Sequence, residues 1–426
     1  MKKFKGSLPK LFLEFSSVTS GNVGSALIAF LINIVLIRKF TPEEFGLFSI
    51  ALLVFNIFSI LADFGINVSF IRFFSKFLKE DRKKSRELLV LTYFTKLLTG
   101  AILFLLLFFL SPIIAKFLFH SNRLIYLLRW ASAGIVCYTI WTFTLSILQA
   151  EQNFRFFSIL KILYDFLKFT GILLIICFNF FNLNSAFVIY IIVSFLGFLY
   201  GSLLVGTRTK IEKVDYRKYL KLIIDFSKWI LISTVSFTLF SRLDLIMLGV
   251  MRTPEEVGFY STAFKLISVI TIVIASIKQV LLPRVSQFTS LKEINDFIKM
   301  SLKYTVLLSC LIIPFIFLSK YLIVWIFTEK YINSITVFKI LSVAFIISLI
   351  IEPLFLIAYS LNKPEHLAIN DVLQLVINFL LNLLLIPLYG INGAAVATLI
   401  SRILMSIFIG FYIKYMTRPQ IVEKLI

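Results

Sequence analysis

Residues 41–51 read TPEEFGLFSIA, and residues 253–263 read TPEEVGFYSTA. The copies lie half the 426-residue chain apart. At that offset Thr41, Pro42, Glu43, Glu44, Gly46, Ser49 and Ala51 recur as Thr253, Pro254, Glu255, Glu256, Gly258, Ser261 and Ala263, and Arg72 falls on Arg284. Locally the stretch is a helix start. Thr caps, Pro occupies the first turn, and the acids sit at the positive end of the helix dipole. That chemistry explains TPEE wherever it occurs, but not two copies at matching places. A duplication does. A six-span unit returns to the side it started from, so its copy runs in the same direction. The expected halves, residues 1–207 and 208–426, are parallel repeats related by an axis along the membrane normal.

The remainder of the sequence supplies the membrane. Hydrophobic residues make up 59% of the chain and the mean hydropathy is +0.97. A water-soluble fold cannot hide that much Phe, Leu and Ile, whereas a lipid-exposed bundle must display it. Twelve apolar runs are long enough to cross a bilayer as helices: 18–37, 45–66, 88–110, 124–147, 158–178, 185–206, 229–250, 257–282, 304–327, 334–360, 367–388 and 392–413. The fourth and fifth are the weakest, because they carry charges. The fold class is therefore all-α, a polytopic protein of about twelve transmembrane helices in two six-helix lobes.

The net charge of +21 would suggest nucleic acid on a soluble protein. Here it reports topology. With the N-terminus in the cytoplasm, the loops on that side carry 27 Lys and Arg, against 7 on the other, Lys320 near the outer end of the ninth run included. This is the positive-inside bias, and it places both termini in the cytoplasm. The basic N-terminus lacks a short apolar core with an Ala-x-Ala site, so the first run is expected to be a retained helix. Cys137, Cys177 and Cys310 lie in apolar runs without metal spacing, and His120 and His366 are isolated. No metal and no cofactor are expected. The longest loop is about 22 residues by this reading, too short for the polar domain a membrane glycosyltransferase or ligase usually needs.

Charges remain within the spans. Besides Lys320, assigned to the external side, nine are basic: Lys96, Arg129, Lys161, Lys168, Arg242, Lys265, Lys278, Lys339 and Arg402. Five are acidic: Asp63, Asp165, Asp244, Glu352 and Asp371. A charge at the bilayer centre costs about 2.5–3.5 kcal/mol on insertion scales, so such residues normally face protein or water. Arg129, Lys161, Lys278 and Lys339 lie near helix ends and can reach the headgroups. Lys96, Lys168, Arg242, Lys265 and Arg402 lie deeper. They are candidates to line a hydrated cavity, where ammonium and guanidinium groups suit a diphosphate. The other reading for each is a structural ion pair. Asp165 precedes Lys168 by three residues and shares its helix face, whereas Arg242 and Asp244 do not face each other. Asp63, Asp165, Asp244, Glu352 and Asp371 are candidates for ion coupling or for pairing with cations. Ser20, Asn22, Ser25 and Asn33 in the first span, and Ser233, Thr234, Ser236, Thr238 and Ser241 in the seventh, add polar surface. So do Asn378 and Asn382, one turn apart.

TPEEFGLFSIA, LADFGINVSFIRFF, SRLDLIMLG, TPEEVGFYSTAFKL and NLLLIPLYGINGAAVATLIS together resemble oligosaccharide flippases. These form the polysaccharide-biosynthesis branch of the MOP superfamily, which also holds the MATE exporters. The resemblance covers the whole chain. It implies two six-helix lobes with a cationic cavity. It also implies that a polyprenyl-diphosphate-linked oligosaccharide is carried from the cytoplasmic to the external leaflet of the plasma (inner) membrane. Membrane lipids and the glycan are the expected partners, with the polysaccharide polymerase and glycosyltransferases of the pathway, and no nucleic acid. Two other readings stay open: a MATE-like cation-coupled exporter of small molecules, and a membrane polysaccharide polymerase or ligase. The excess of basic over acidic residues in the spans favours an anionic substrate over the first. The short loops weigh against the second, and the expected class is a transporter rather than an enzyme.

Overall fold

The computed structural model describes residues 8–208, 216–285, 291–360 and 364–416. No strand occurs among them, as the all-α reading requires. The α-helices are α1 (Leu8–Lys39), α2 (Pro42–Asp63), α3 (Ile66–Glu80), α4 (Arg82–Ile113), α5 (Leu124–Ala150), α6 (Phe154–Cys177), α7 (Leu183–Arg208), α8 (Tyr216–Met251), α9 (Pro254–Val285), α10 (Leu291–Phe317), α11 (Ser319–Phe327), α12 (Ser334–Ser360) and α13 (Pro364–Met416).

Nine helical stretches among the described residues are long and apolar enough to cross a bilayer. One of them, Ile369–Ile413, runs for 45 residues, more than twice what a bilayer core needs. It is broken at Gly390, whose φ of 58° and ψ of −134° are not helical. Asn378 Nδ2 lies 3.4 Å from Thr398 Oγ1 across that break. Twenty residues of straight helix would separate them by about 30 Å, so the chain folds back on itself. The turn admits no bulk: a Cβ on Gly393 would lie 2.1 Å from the Leu385 carbonyl oxygen. Counting this hairpin as two spans, and adding α6 and α8, which carry more charges, gives the expected twelve. The protein is a multi-pass membrane protein. Accordingly α4 presents Leu98 and Phe109 outward, and the turn that follows it presents Phe117, each more than 60% exposed. That is normal against lipid and costly against water.

Two expectations need correction. Residues 67–87, read as a loop, form α3 and the start of α4. Its apolar face buries Phe70 and Phe74 against Phe143, Ile147, Tyr219 and Ile223, while Arg72, Lys76 and Lys79 lie off that face. Phe70 stacks on Phe74 at 4.6 Å and meets Phe143 edge-on at 4.8 Å. Burying each ring stabilises by roughly 1.5–3 kcal/mol, which is why a basic, helix-period segment packs down instead of looping out. Asp81 caps α4 by accepting from the Lys83 and Lys84 amides at 2.9 and 3.3 Å. Second, the span expected over 304–327 ends at Phe317. Residues 319–327 form the separate short helix α11.

The chain packs as two compact units, residues 1–36 with 47–242, and residues 37–46 with 243–426. The first TPEE turn thus belongs to the unit that contains the second, and the two turns pack together there. A Cβ on Gly46 would lie 1.6 Å from the Pro254 carbonyl oxygen, and one on Gly258 would lie 1.9 Å from that of Pro42. Around this contact Arg38 donates to the carbonyls of Trp325 and, at 2.8 Å, Ile326. Arg252 donates to those of Ile386 at 2.8 Å and Pro387 at 3.1 Å. Both arginines therefore satisfy helix-terminal carbonyls. Tyr331 is fully buried and packs edge-on against Phe45 and Phe259. Burial, with Glu44 adding, raises the pKa of its phenol, so it stays a neutral donor to the Phe40 carbonyl at 3.3 Å.

Candidate functional site

The charged residues of the spans gather in two places in the first unit and one in the second. The first pair is Lys96 on α4 with Asp63 at the end of α2. Lys96 has no exposed side-chain surface, whereas the Asp63 side chain keeps a quarter of its own. Thr99 donates to the Ala62 carbonyl at 2.8 Å beside them and ties α4 to the end of α2. A buried ammonium needs such a partner.

The second group lies on α6. Lys168 Nζ is 3.2 Å from Asp165 Oδ1, and Ser25 on α1 donates to the other carboxylate oxygen. The ammonium also sits over two rings, 3.9 Å from the centre of Tyr164 and 5.2 Å from that of Tyr190. Trp141 stacks flat on Tyr164 at 4.5 Å, and the Tyr164 hydroxyl meets Ser194 at 2.7 Å. A cation between aromatic faces is held without extra carboxylates. Nearby, Lys161 donates to Asn22 at 2.6 Å.

In the second unit the centre is Asp244 on α8. It accepts from Thr398 at 2.5 Å, Tyr260 at 2.6 Å and Asn382 at 2.8 Å. Asn382 also donates to Asn378 at 3.1 Å, while its own Oδ1 is buried with no partner. Four helical segments thus converge on one carboxylate: α8, α9 and both arms of α13. One turn beyond Thr398, Arg402 donates to Ser348 at 2.5 Å and lies 4.0 Å over the Phe345 ring. Its Nε is buried without a partner.

Of the five cations expected in a cavity, Lys96 and Lys168 are therefore joined to acids, and Arg402 is held by a hydroxyl and a ring. Arg242 is exposed on α8 and makes no ion pair among the described residues, and Lys265 is half-buried on α9. Glu352 is half-buried on α12 and Asp371 is exposed on α13. The side chains of Lys278, Ser233, Thr234 and Ser236 lie outside the described residues. No group of three or more His, Cys, Asp or Glu placed to hold a metal occurs among those described.

Several residues of these networks were not visible as such in the sequence. Tyr164, Tyr190 and Trp141 were lost among 48 phenylalanines and many other rings. Tyr260 and Thr398 carried no signal until the helices that bear them were brought together. One signal was there to be read. Asn56, Ser59 and Asp63 recur at helical spacing and make a polar stripe on the apolar second half of α2, and Asn67 follows at the start of α3.

Comparison with known proteins gives the family. The chain is 25% identical over 379 residues to a putative O-antigen transporter of Shigella flexneri, covering 87% of this chain and 89% of that one. It is 26% identical over 212 residues to a probable low-salt glycan biosynthesis flippase of Haloferax volcanii. That match covers 48% of this chain and 44% of the relative. The fold is similar to that of the lipid II flippase MurJ in an inward closed conformation. The TM-score is 0.76 at 16% identity, over 93% of this chain and 87% of that one. It is also similar to an inward-facing multidrug resistance MATE transporter of the MOP superfamily. There the TM-score is 0.74 at 14% identity, over 94% and 96% of the two chains. The family model described as polysaccharide biosynthesis protein matches residues 13–289, well over half of the sequence, and the chain belongs to that family.

Proposed function

We propose that this chain is a flippase that carries a polyprenyl-diphosphate-linked oligosaccharide from the cytoplasmic to the external leaflet of the plasma membrane. The two six-span halves, 1–207 and 208–426, alternate access to the substrate, and both termini are cytoplasmic. The kinship with a glycan flippase and an O-antigen transporter supports the class. The observation that carries the reading to an anionic substrate is Arg402, a half-buried guanidinium whose buried Nε donor is unused. A phosphate oxygen is the acceptor such a donor fits. Arg242 and Lys265 complete the cationic set. Lys96 and Lys168 contribute when substrate competes with Asp63 and Asp165 for them. The polymerase and glycosyltransferases of the pathway are the partners that use and supply the glycan.

Moving a charged headgroup outward needs a drive, and Asp244 is the acid best suited to take a coupling ion. Its three neutral donors stabilise the carboxylate without neutralising it, and the unpartnered Asn382 Oδ1 adds an oxygen beside it. A small cation or a proton matches that oxygen-rich set.

The test is complementation of a strain that lacks its own flippase, read as surface glycan. The wild-type chain should restore glycan. Arg402→Ala should lose most of it at normal expression, while Asp244→Asn should abolish the dependence on the sodium or proton gradient. Restored drug efflux without glycan would instead favour the cation-coupled exporter. Full glycan with all five cations replaced by Ala would end the proposal.

A further inference from the structure

The first unit contains a pocket of about 270 Å³ that neither ion pair fills. Asn56, Ser59, Ile60, Asp63, Gly65, Asn67, Tyr138, Thr142 and Leu231 line it. Asn56 lies on α2 at roughly 21 Å of helix from Pro42 and 12 Å from the break after Asp63, so it is at membrane depth. Its side chain is exposed all the same. An amide at that depth faces water or a polar ligand, because lipid would leave it unsatisfied. Ser59 Oγ and Asn67 Oδ1 are buried in the pocket wall with no hydrogen-bond partner. Buried polar atoms of this kind are satisfied by something, and a ligand with its own donors and acceptors is one answer.

We infer that this pocket is a sugar-binding subsite, taking one neutral ring of the transported glycan; the inference rests on the flippase reading. The lining sets the chemistry. Asn56 and Asn67 supply amides, and Ser59, Tyr138 and Thr142 supply hydroxyls. Asp63 already carries its counter-charge in Lys96. The wall is thus close to neutral, so it selects hydroxyl and acetamido groups rather than phosphate. Tyr138 also offers a ring, held edge-on by Phe55 at 5.4 Å, against which a sugar face can lie. The volume falls just below the ~300–1,000 Å³ of sites for drug-sized ligands, which suits one ring rather than a chain of them. The diphosphate is left to the cations and the sugar to this stripe, so headgroup and glycan are read by separate side chains.

The experiment uses the full chain in lipid nanodiscs and ligand-detected saturation-transfer NMR. The probes are the methyl glycosides of glucose, galactose, rhamnose and N-acetylglucosamine, with inorganic pyrophosphate as the anionic comparison. At least one glycoside should bind. Asn56→Leu and Tyr138→Phe should each weaken it by about tenfold, the effect of one or two lost hydrogen bonds, and leave pyrophosphate unchanged. Tyr138→Phe keeps the ring, so it reads the subsite even if Asn56→Leu folds poorly. Absence of binding by every glycoside, unchanged binding in the variants, or competition by pyrophosphate overturns the subsite. Complementation runs alongside. Glycoside binding without restored surface glycan removes the flippase reading and leaves the pocket. Restored glycan without glycoside binding does the reverse.

Discussion

Replacing Asp63 with Ala would leave the Lys96 ammonium fully enclosed and alone. Breaking a buried pair from one side typically costs about 3–5 kcal/mol, because the remaining charge has no water to return to. Asp63→Ala should therefore lower the melting temperature of the detergent-purified protein sharply. The double variant Asp63→Leu with Lys96→Met should recover most of that loss, since it removes both charges together. A double variant as unstable as the single one would mean that the pair does not stabilise by its charges. The pairing itself shows how far residues can be read from sequence. Asp165 and Lys168 share a helix face by spacing alone, and they pair. Asp63 and Lys96 are 33 positions apart, so their depth could be read but not their union. Asp244 is harder still, because its three donors come from α9 and from both arms of α13. Periodicity within one helix carries no information about which faces of different helices meet.

At the scale of elements, the glycines of the two TPEE turns make a sharp prediction. A methyl group at Gly46 or Gly258 would stand inside van der Waals contact with a backbone carbonyl, which cannot swing away as a side chain can. Gly46→Ala and Gly258→Ala should each reduce folded protein in a fluorescence-detected size-exclusion assay. Gly206→Ala and Gly410→Ala, with open space around them, should behave as wild type. The hairpin within α13 gives a second case. Gly390→Ala places a side chain at a positive φ, and Gly393→Ala meets the Leu385 carbonyl; both should impair folding. The elements themselves were legible, since twelve apolar runs mark twelve crossings. What hydropathy misjudged was α3, whose many basic residues read as a loop. Only its helical period showed that Phe70 and Phe74 share a face with nothing but core beneath it.

For the whole molecule the charge bias makes an arrangement that can be checked in living cells. In a variant without Cys137, Cys177 and Cys310, a single cysteine replacing Lys79 should escape a membrane-impermeant maleimide added from outside. One replacing Glu43 should react. The opposite result would invert the topology, and with it the direction of transport. Gly46 admits the carbonyl of Pro254, and Gly258 admits that of Pro42, so each copy of the turn is the mould into which the other is cast. A change in either would be felt by both. Elsewhere the halves differ: at the same offset Asp165 and Lys168 fall on Ile377 and Leu380, and Asp244 and Arg402 fall on Ile32 and Tyr190. The spelling they hold in common lies where each copy is the other's neighbour.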